Sequence, residues 1–208
     1  FGIRNILGLR GDPPSEAEEI ITKENSYPYA HQLIAQIEKL NKGEYLERKG
    51  FATKNNIKTD FCIGAAAYPD APTSIERIQY FEKKVQAGAC YGITQMLYDP
   101  DSYSRFLEDL AKAKVSVPIL PGARILKSKI QAQKMQQKFG IKIPKSYMDS
   151  LPETDNPEKA LDIFLNLIAS FKSAGAPGLH VFVLVDTDLA SQAIQHLSSI
   201  NPKPRTLK

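Results

Sequence analysis

The feature that most constrains the fold of this chain is a regular alternation of short apolar runs with amphipathic stretches. Apolar residues run almost without interruption, as in parallel strands covered on both faces, over residues 3–9, 61–67, 91–96, 117–120 and 179–184. Between these runs, apolar residues recur at helical spacing over residues 30–40, 73–87, 101–113, 129–139, 157–173 and 189–197. Strands that alternate with helices in this way predict an α/β fold with a parallel sheet.

Two α/β architectures are compatible with this order, an open doubly wound sheet and a (β/α)₈ barrel. The chain contains neither G-x-G-x-x-G nor G-x-x-x-x-G-K-[ST], the phosphate-binding signatures of many open sheets. Polar residues instead follow nearly every predicted strand, at Arg10-Gly11-Asp12, Tyr68-Pro69-Asp70, Thr94-Gln95, Gly122 with Arg124, and Asp186. Barrel enzymes carry their functional groups at these strand ends, so we predict a TIM-type (β/α)₈ barrel.

The predicted strands are too few for a closed barrel, which needs eight. The sequence begins with Phe1, directly ahead of a strand, and we expect three further strands to precede it. The 208 residues suit one domain, so we predict that residues 1–208 form a single, incomplete barrel domain.

Composition narrows the classes of partner. The net charge is +4, and basic residues are interspersed with acidic ones, so neither a nucleic-acid nor a membrane surface is indicated. No run approaches the roughly 20 apolar residues of a membrane span, and we expect no leader peptide. Cys62 and Cys90 lie within apolar runs without metal-ligand spacing, which predicts buried free thiols in a reducing compartment.

The segment "LGLRGDPP" carries the most informative polar cluster. Arg10 could hold a phosphate or carboxylate, Gly11 would let a planar ligand approach the backbone, and Asp12 could bond a heterocycle. The alternative is a structural Arg-Asp pair that closes a turn, and the octapeptide alone does not decide between the two.

Other single residues carry weaker signals. Tyr68 could stack on a ring or plug the barrel mouth. Gln95 offers both a donor and an acceptor to a pterin or flavin edge, or it bonds neighbouring backbone. Gln131 alone would be a surface residue, and His180 is better explained as a buried core histidine than as a base. No carboxylate pair, Ser-His-Asp set or metal cluster can be assembled from the sequence.

Taken in order, several segments resemble the methylenetetrahydrofolate reductase family. They are "GIRNILGLRGDPP", "YPYAHQLI", "FCIGAAAYPDAP", "KKVQAGACYGITQMLYD", "VPILPGARIL", "GIKIP" and "GLHVFVLV". The resemblance covers nearly the whole chain and implies a flavin-dependent (β/α)₈ barrel of one-carbon metabolism and methionine biosynthesis. In this family, FAD passes a hydride from NAD(P)H to 5,10-methylenetetrahydrofolate and yields 5-methyltetrahydrofolate. The strands here would be the fourth to the eighth.

The resemblance also implies roles for individual residues. Asp12 would be the catalytic residue, next to the flavin and the folate, where it shapes the charge felt by the reduced ring. Gln95 and Gln131 would bind the folate substrate. The implied FAD-binding residues are Arg10, Gly11, Asp12, Tyr29, Ala30, Tyr68 and Lys84.

Three departures from the family pattern stand out. The histidine of the YPE-x-HPE loop is absent from "YPDAPTS", and Arg77 occupies the place of an aspartate that contacts FAD. Asp186 stands where the family often has an asparagine followed by a basic residue, and its charge would repel an anionic folate. The family's proton-donating glutamate belongs to the first strand, which lies outside this sequence.

Three functions follow as hypotheses. The first is a cytoplasmic methylenetetrahydrofolate reductase with FAD and NAD(P)H, a small-molecule folate substrate and possible homo-oligomerisation. The second is a non-catalytic or regulatory barrel that binds folate or a partner subunit. The third is a folate-dependent methyltransferase on the same scaffold, which would need no nicotinamide.

Overall fold

The computed structural model describes residues 2–11, 27–46, 57–183 and 187–200, with side chains as far as residue 197. Its strands are β1 (Asn5–Gly8), β2 (Cys62–Ala67), β3 (Tyr91–Met96), β4 (Ile119–Ala123) and β5 (His180–Val181). Its helices are α1 (Ala30–Lys42), α2 (Tyr80–Gln86), α3 (Pro100–Lys112), α4 (Lys129–Phe139), α5 (Lys145–Ser150), α6 (Pro157–Ser173) and α7 (Thr187–Ile200). A π-helical segment, Ile75–Gln79, leads directly into α2.

The strands hydrogen-bond in the order β1-β2-β3-β4-β5, which is their order along the chain. The β1–β2, β2–β3 and β4–β5 pairs are parallel. Consecutive βα units of a (β/α)₈ barrel give this uninterrupted order, whereas a doubly wound sheet reverses its strand order at a switch point. The prediction of part of a TIM-type barrel is therefore confirmed. The strand order does not support the alternative of a doubly wound sheet.

Contacts divide the chain into two compact units. Unit 1 comprises residues 1–94 and 106–119, and unit 2 comprises residues 95–105 and 120–208. The prediction of one incomplete barrel domain over residues 1–208 stays a prediction. Within the described ranges, no helix is both long enough and apolar enough to cross a lipid bilayer.

The core of unit 1 lies between β2, β3 and the helices that pack on them. Phe81 of α2 and Phe106 of α3 meet edge to face with ring centroids 6.1 Å apart. Gly92 makes room for this packing, because a Cβ at this position would lie 2.7 Å from Phe81 Cζ and 2.8 Å from Ile119 Cδ1. The small residue is thus required by the packing of its neighbours rather than by its own backbone conformation.

The core of unit 2 is aromatic. Tyr103 of α3 packs edge to face on Phe171 of α6, with centroids 5.6 Å apart, and both are fully buried. The Tyr98 hydroxyl donates to the Arg124 carbonyl oxygen at 3.0 Å, and burial raises the pKa of this tyrosine. Tyr98 also packs against the Tyr147 ring at 5.0 Å. These contacts bury large rings while keeping the Tyr98 hydroxyl bonded.

The helices predicted at residues 129–139 and 157–173 and the strand predicted at 91–96 have the bounds of the structure. Gly140 adopts a left-handed conformation with φ of 62° and ends α4, as its position after the helical pattern predicts. The short helix α5 was not predicted, because six residues span too few turns to show helical periodicity.

Two predictions about local structure are wrong. Pro121 and Gly122, expected to follow the strand predicted at residues 117–120, lie inside β4, where the Gly122 carbonyl oxygen accepts a hydrogen bond from the Leu97 N–H. Pro121 has no N–H to donate to the ladder, and the pairing of β4 with β5 begins one residue later, at Gly122. Cys62 and Cys90 are exposed rather than buried, because they occupy the amino ends of β2 and β3 and not the centres of the strands.

Candidate functional site

The carboxyl end of β2 in unit 1 brings two predicted site residues together. Tyr68 follows the last residue of β2, and 45% of its surface is exposed. Lys84, on α2, reaches back so that its ammonium donates to the Ala66 carbonyl oxygen at 2.8 Å. The same ammonium lies 5.3 Å from the centroid of the Tyr68 ring, a cation–π distance. The pair presents one fixed positive charge beside one accessible aromatic face.

The environment of Lys84 lowers the pKa of its ammonium towards neutral pH. The side chain is half-buried, and desolvation lowers its pKa to about 8. The ammonium therefore remains mostly protonated at neutral pH, while an anion bound beside it would favour the charged form further. A cation that is only partly hydrated binds a phosphate or a carboxylate more strongly than a fully exposed one.

The loop after Tyr68 is held by a local cap and by Arg77. Thr73 and Glu76 bond reciprocally, with the Thr73 hydroxyl donating to Glu76 at 2.9 Å and the Glu76 N–H donating to the hydroxyl at 3.1 Å. The Arg77 guanidinium donates to the Ala71 carbonyl oxygen and to Asp109 of α3, each at 3.3 Å. Two cations lower the pKa of Asp109: Lys112 makes the larger contribution and Arg77 the smaller one. Arg77 thus ties this loop to α3.

The carboxyl end of β1 is open. Arg10 and Gly11 are exposed, and the Arg10 Nε donates weakly to the Gly11 carbonyl oxygen at 3.5 Å. Gly11 has a φ of 78°, in the left-handed region that favours glycine, and no atom lies within 4 Å of a Cβ built there. Asp12, the predicted catalytic residue, lies outside the described residues. Whether it closes a turn with Arg10 or binds a ligand therefore stays open.

Tyr29 and Ala30 mark the start of α1. The Tyr29 ring is more than half exposed and stacks on His31 with centroids 5.6 Å apart. Its N–H donates to Gln32 Oε1 at 3.1 Å, and its carbonyl oxygen accepts from the Gln32 N–H at 3.1 Å. Ala30 is half-buried as the first residue of the helix. The backbone is fixed here while the Tyr29 ring remains accessible.

The two predicted substrate glutamines lie in unit 2. Gln95, on β3, is half-buried, and its Oε1 accepts the Met96 N–H at 2.9 Å. Gln131 is in the first turn of α4, where its Oε1 accepts the Lys127 N–H at 2.7 Å. Its own N–H donates to Ser128 Oγ at 3.3 Å, and the Ser128 hydroxyl donates to Asp155 at 2.7 Å. Ser128 therefore caps α4, and Gln131 reaches back to the N–H of the residue before the cap, a local role that the S-x-x-Q spacing could have signalled.

Two other features of unit 2 do not behave as ligand sites. His180 is half-buried with its ring 4.7 Å from that of Phe182, and burial lowers its pKa. An open cleft of about 560 Å³ lies among α3, α5 and α6, but its Ser104, Ser170 and Ser173 hydroxyls donate to carbonyls of their own helices. Among the described residues, no group of three or more His, Cys, Asp or Glu could hold a metal ion.

A family model and individual known proteins that match this chain point to the same family. The family described as methylenetetrahydrofolate reductase matches residues 1–198. Methylenetetrahydrofolate reductase 2 of Saccharomyces cerevisiae is 30% identical over 195 residues, which cover 88% of this chain and 30% of the yeast protein. The 5,10-methylenetetrahydrofolate reductase of Escherichia coli is 26% identical, over 97% of this chain and 62% of that protein. The chain thus spans about a third to two thirds of the length of these relatives.

Solved structures give a weaker match. An uncharacterized protein from Clostridium thermocellum that binds two copies of 5-methyl-5,6,7,8-tetrahydrofolic acid aligns with a TM-score of 0.49 and 19% identity. The alignment covers 68% of this chain and 55% of that one. A similarity of this size supports no inference about function.

Proposed function

The chain belongs to the methylenetetrahydrofolate reductase family, and on that premise we propose that it forms part of a reductase acting on 5,10-methylenetetrahydrofolate. The proposed reaction produces 5-methyltetrahydrofolate with NAD(P)H as the hydride donor and FAD as the bound cofactor. The observation that carries the proposal is the family match over residues 1–198, together with the Lys84–Tyr68 pair at a strand end of the barrel sheet.

The Lys84–Tyr68 pair fits an anionic cofactor with flat rings. The half-buried ammonium of Lys84 would hold a phosphate as a point charge, and the accessible face of Tyr68 would stack on a ring. FAD has both groups, and it supplies hydride transfer between a nicotinamide and a folate. The residues of this chain contribute binding, orientation and a fixed charge.

The remaining cofactor contacts are proposed from the family resemblance. Arg10 and Gly11 would border the flavin, with the open, left-handed Gly11 allowing a close approach. Asp12 would set the charge next to the reacting rings as the catalytic residue. Tyr29 offers an exposed ring, and Ala30 would border the cofactor next to it.

Gln95 and Gln131 are the proposed folate-binding residues. The Oε1 atoms of both accept backbone N–H groups, which fixes the orientation of each amide. The amide nitrogen of Gln131 is then the group that would donate to a heterocycle such as a pterin. Backbone anchoring of this kind holds a specificity group in one orientation before the substrate arrives.

The visible spectrum of the purified full-length protein tests the proposal. We expect a flavin absorption that NAD(P)H bleaches and that methylenetetrahydrofolate restores. Lys84→Met should lose flavin, whereas Lys83→Met, on the exposed face of the same helix, should retain it. A colourless protein that takes up neither flavin nor folate would contradict the proposal.

A second candidate, a folate-binding barrel without reductase activity, is favoured by Arg77. The resemblance expects a flavin-contacting aspartate at this position, whereas the Arg77 side chain bonds Asp109 and the Ala71 carbonyl. This candidate predicts folate binding by calorimetry without NAD(P)H oxidation. Folate-coupled NAD(P)H oxidation would exclude it.

We also propose that the protein is cytoplasmic and that it forms homo-oligomers. Light scattering of the full-length protein measures its mass in solution and so tests whether it forms oligomers.

A further inference from the structure

The two cysteines of the chain lie side by side at the amino ends of neighbouring strands in unit 1. Cys62 is the first residue of β2, and Cys90 directly precedes β3. Both are exposed, and their Sγ atoms are 2.8 Å apart. The pair lies at the end of these strands opposite to Tyr68, so the proposed cofactor site does not use it.

The backbone holds both cysteines in place. The Cys62 N–H donates to the Arg4 carbonyl oxygen, and the Cys90 N–H donates to the Ile63 carbonyl oxygen, each at 2.8 Å. Because Gly64 pairs with Tyr91, Cys90 lies opposite Ile63 on the neighbouring strand. Cys62 is the residue before Ile63, so the two cysteines are offset by one residue along the strands. Strand spacing and rise put two such Cα atoms about 5.8 Å apart. A disulfide requires a Cα separation of about 4.4–6.8 Å, so this backbone accepts one.

We propose that Cys62 and Cys90 form a reversible intrachain disulfide. The two thiols lose two protons and two electrons and gain one S–S bond. A low-molecular-weight disulfide, such as oxidised glutathione, accepts the electrons and leaves as two thiols. The reaction proceeds through a mixed disulfide on one cysteine, which the second cysteine resolves. The exposed position of both sulfurs makes the bond accessible to reduction by the same route.

The electrostatics of the pair suggest which sulfur reacts first. The hydrogen bond to Cys90, then burial, raise the pKa of Cys62 to about 11, with smaller contributions from the charges of Cys90 and Asp60. The Cys62 thiol therefore keeps its proton at neutral pH, so the first attack does not come from Cys62. A mixed disulfide on Cys90 removes the charge that disfavours the Cys62 thiolate, so Cys62 can then resolve it.

The bond would enclose the part of unit 1 that carries the candidate site. Residues 62–90 contain β2, the Tyr68 loop, the π-helical segment and α2 with Lys84. Closing this loop restricts the unfolded chain and joins the two strands below the site. Oxidation would therefore stabilise the Tyr68–Lys84 segment without adding any group to the cofactor pocket.

Peptide mapping of the full-length protein tests the proposal. The protein is incubated with oxidised glutathione, its free thiols are alkylated, and it is digested with trypsin. Cleavage after Lys58, Arg77, Lys84 and Arg105 releases each cysteine on its own peptide, residues 59–77 and 85–105. We expect these two peptides to be linked, two hydrogens lighter than their summed mass, and to separate in dithiothreitol.

Three controls make the result decisive. Cys62→Ser and Cys90→Ser should each stop at a mixed disulfide with glutathione on the remaining cysteine. The wild-type protein unfolded in urea should form the link about tenfold or more slowly, because it loses the proximity of the two sulfurs. Alkylation of both thiols, separate glutathione adducts without a link, or equal rates in native protein and urea would each overturn the proposal. None of these readouts depends on flavin or folate, so the proposed function is tested independently.

Discussion

Lys84 combines a backbone hydrogen bond, partial burial and an aromatic neighbour in one side chain. A lysine whose only function were to cover apolar surface would keep its ammonium in water. Here the ammonium is turned inward, where it is partly desolvated, and its pKa falls to about 8. In the ligand-free protein, desolvation of this ammonium therefore destabilises the folded state, and a bound anion would offset that destabilisation.

Replacing Lys84 by methionine should change the pH dependence of stability. Because the pKa is about 8 in the folded chain and 10.5 in the reference state, the unfolded chain binds more protons between these values. The free energy of unfolding of the wild type should therefore rise with pH across this window, relative to Lys84→Met. We expect a relative gain on the order of 2 kcal/mol, measured by urea denaturation at several pH values.

Lys83→Met provides the matched control for this experiment. Lys83 is an exposed neighbour on α2, with its ammonium 5.8 Å from the Tyr80 ring. Its replacement should leave the difference from wild type constant across the same pH range. A constant difference for Lys84→Met as well would show that Lys84 is not desolvated.

At the scale of the element, side-chain hydrogen bonds fix the starts of two helical segments beside the strand ends. Thr73 and Glu76 form a capping box at the π-helical segment. At α4, Ser128 Oγ accepts the Gln131 N–H, and Gln131 Oε1 accepts the Lys127 N–H. A capping box satisfies backbone N–H groups that have no partner within the helix. Gln131 thus has a structural role in addition to the substrate contact that the family resemblance implies.

Two substitutions of Gln131 separate these roles. Gln131→Ala removes the acceptor for the Lys127 N–H and should lower the free energy of unfolding by about 1 kcal/mol. Gln131→Glu keeps an acceptor at a helix start and should preserve stability, but it removes both amide donors. We expect its KM for the folate to rise about tenfold, the effect of losing one hydrogen bond. An unchanged KM for Gln131→Glu would assign Gln131 to capping alone.

At the scale of the whole molecule, the lengths of the strands determine where backbone protection is expected. The six residues of β3 have a neighbouring strand on each side, whereas the two residues of β5 pair with β4 alone among the described strands. Local opening of a two-residue strand breaks fewer hydrogen bonds and exposes less apolar surface than opening of a six-residue strand. The backbone of β3 should therefore be more stable against opening than that of β5.

Hydrogen exchange measures this distribution. In the full-length protein, amides of β3 should exchange at least about tenfold more slowly than those of β5 under native conditions. Fragment-resolved mass spectrometry separates the two regions. Equal protection of β5 and β3 would contradict the assignment of β5 as a strand of only two residues.

Local patterns in the sequence determined the fold class and many element bounds. The bounds of α4 follow from Ser128 at its start and Gly140 at its end, and those of α6 from Asn156 and Pro157 at its start. A cap acts through residues within one helical turn, so the sequence alone contains that information. Apolar runs likewise identified β3, although they ended the fourth strand at residue 120 and left Pro121 and Gly122 outside β4.

Only the tertiary structure decided which side chains meet. The contact of Lys84 with Tyr68, the bond from Arg77 to Asp109 and the approach of Cys62 to Cys90 each join different elements. Such contacts depend on strand register and on how helices pack over the sheet, which no short window of sequence specifies. For the same reason, the two cysteines looked buried in their apolar runs but are exposed at the strand ends, where their sulfurs can react.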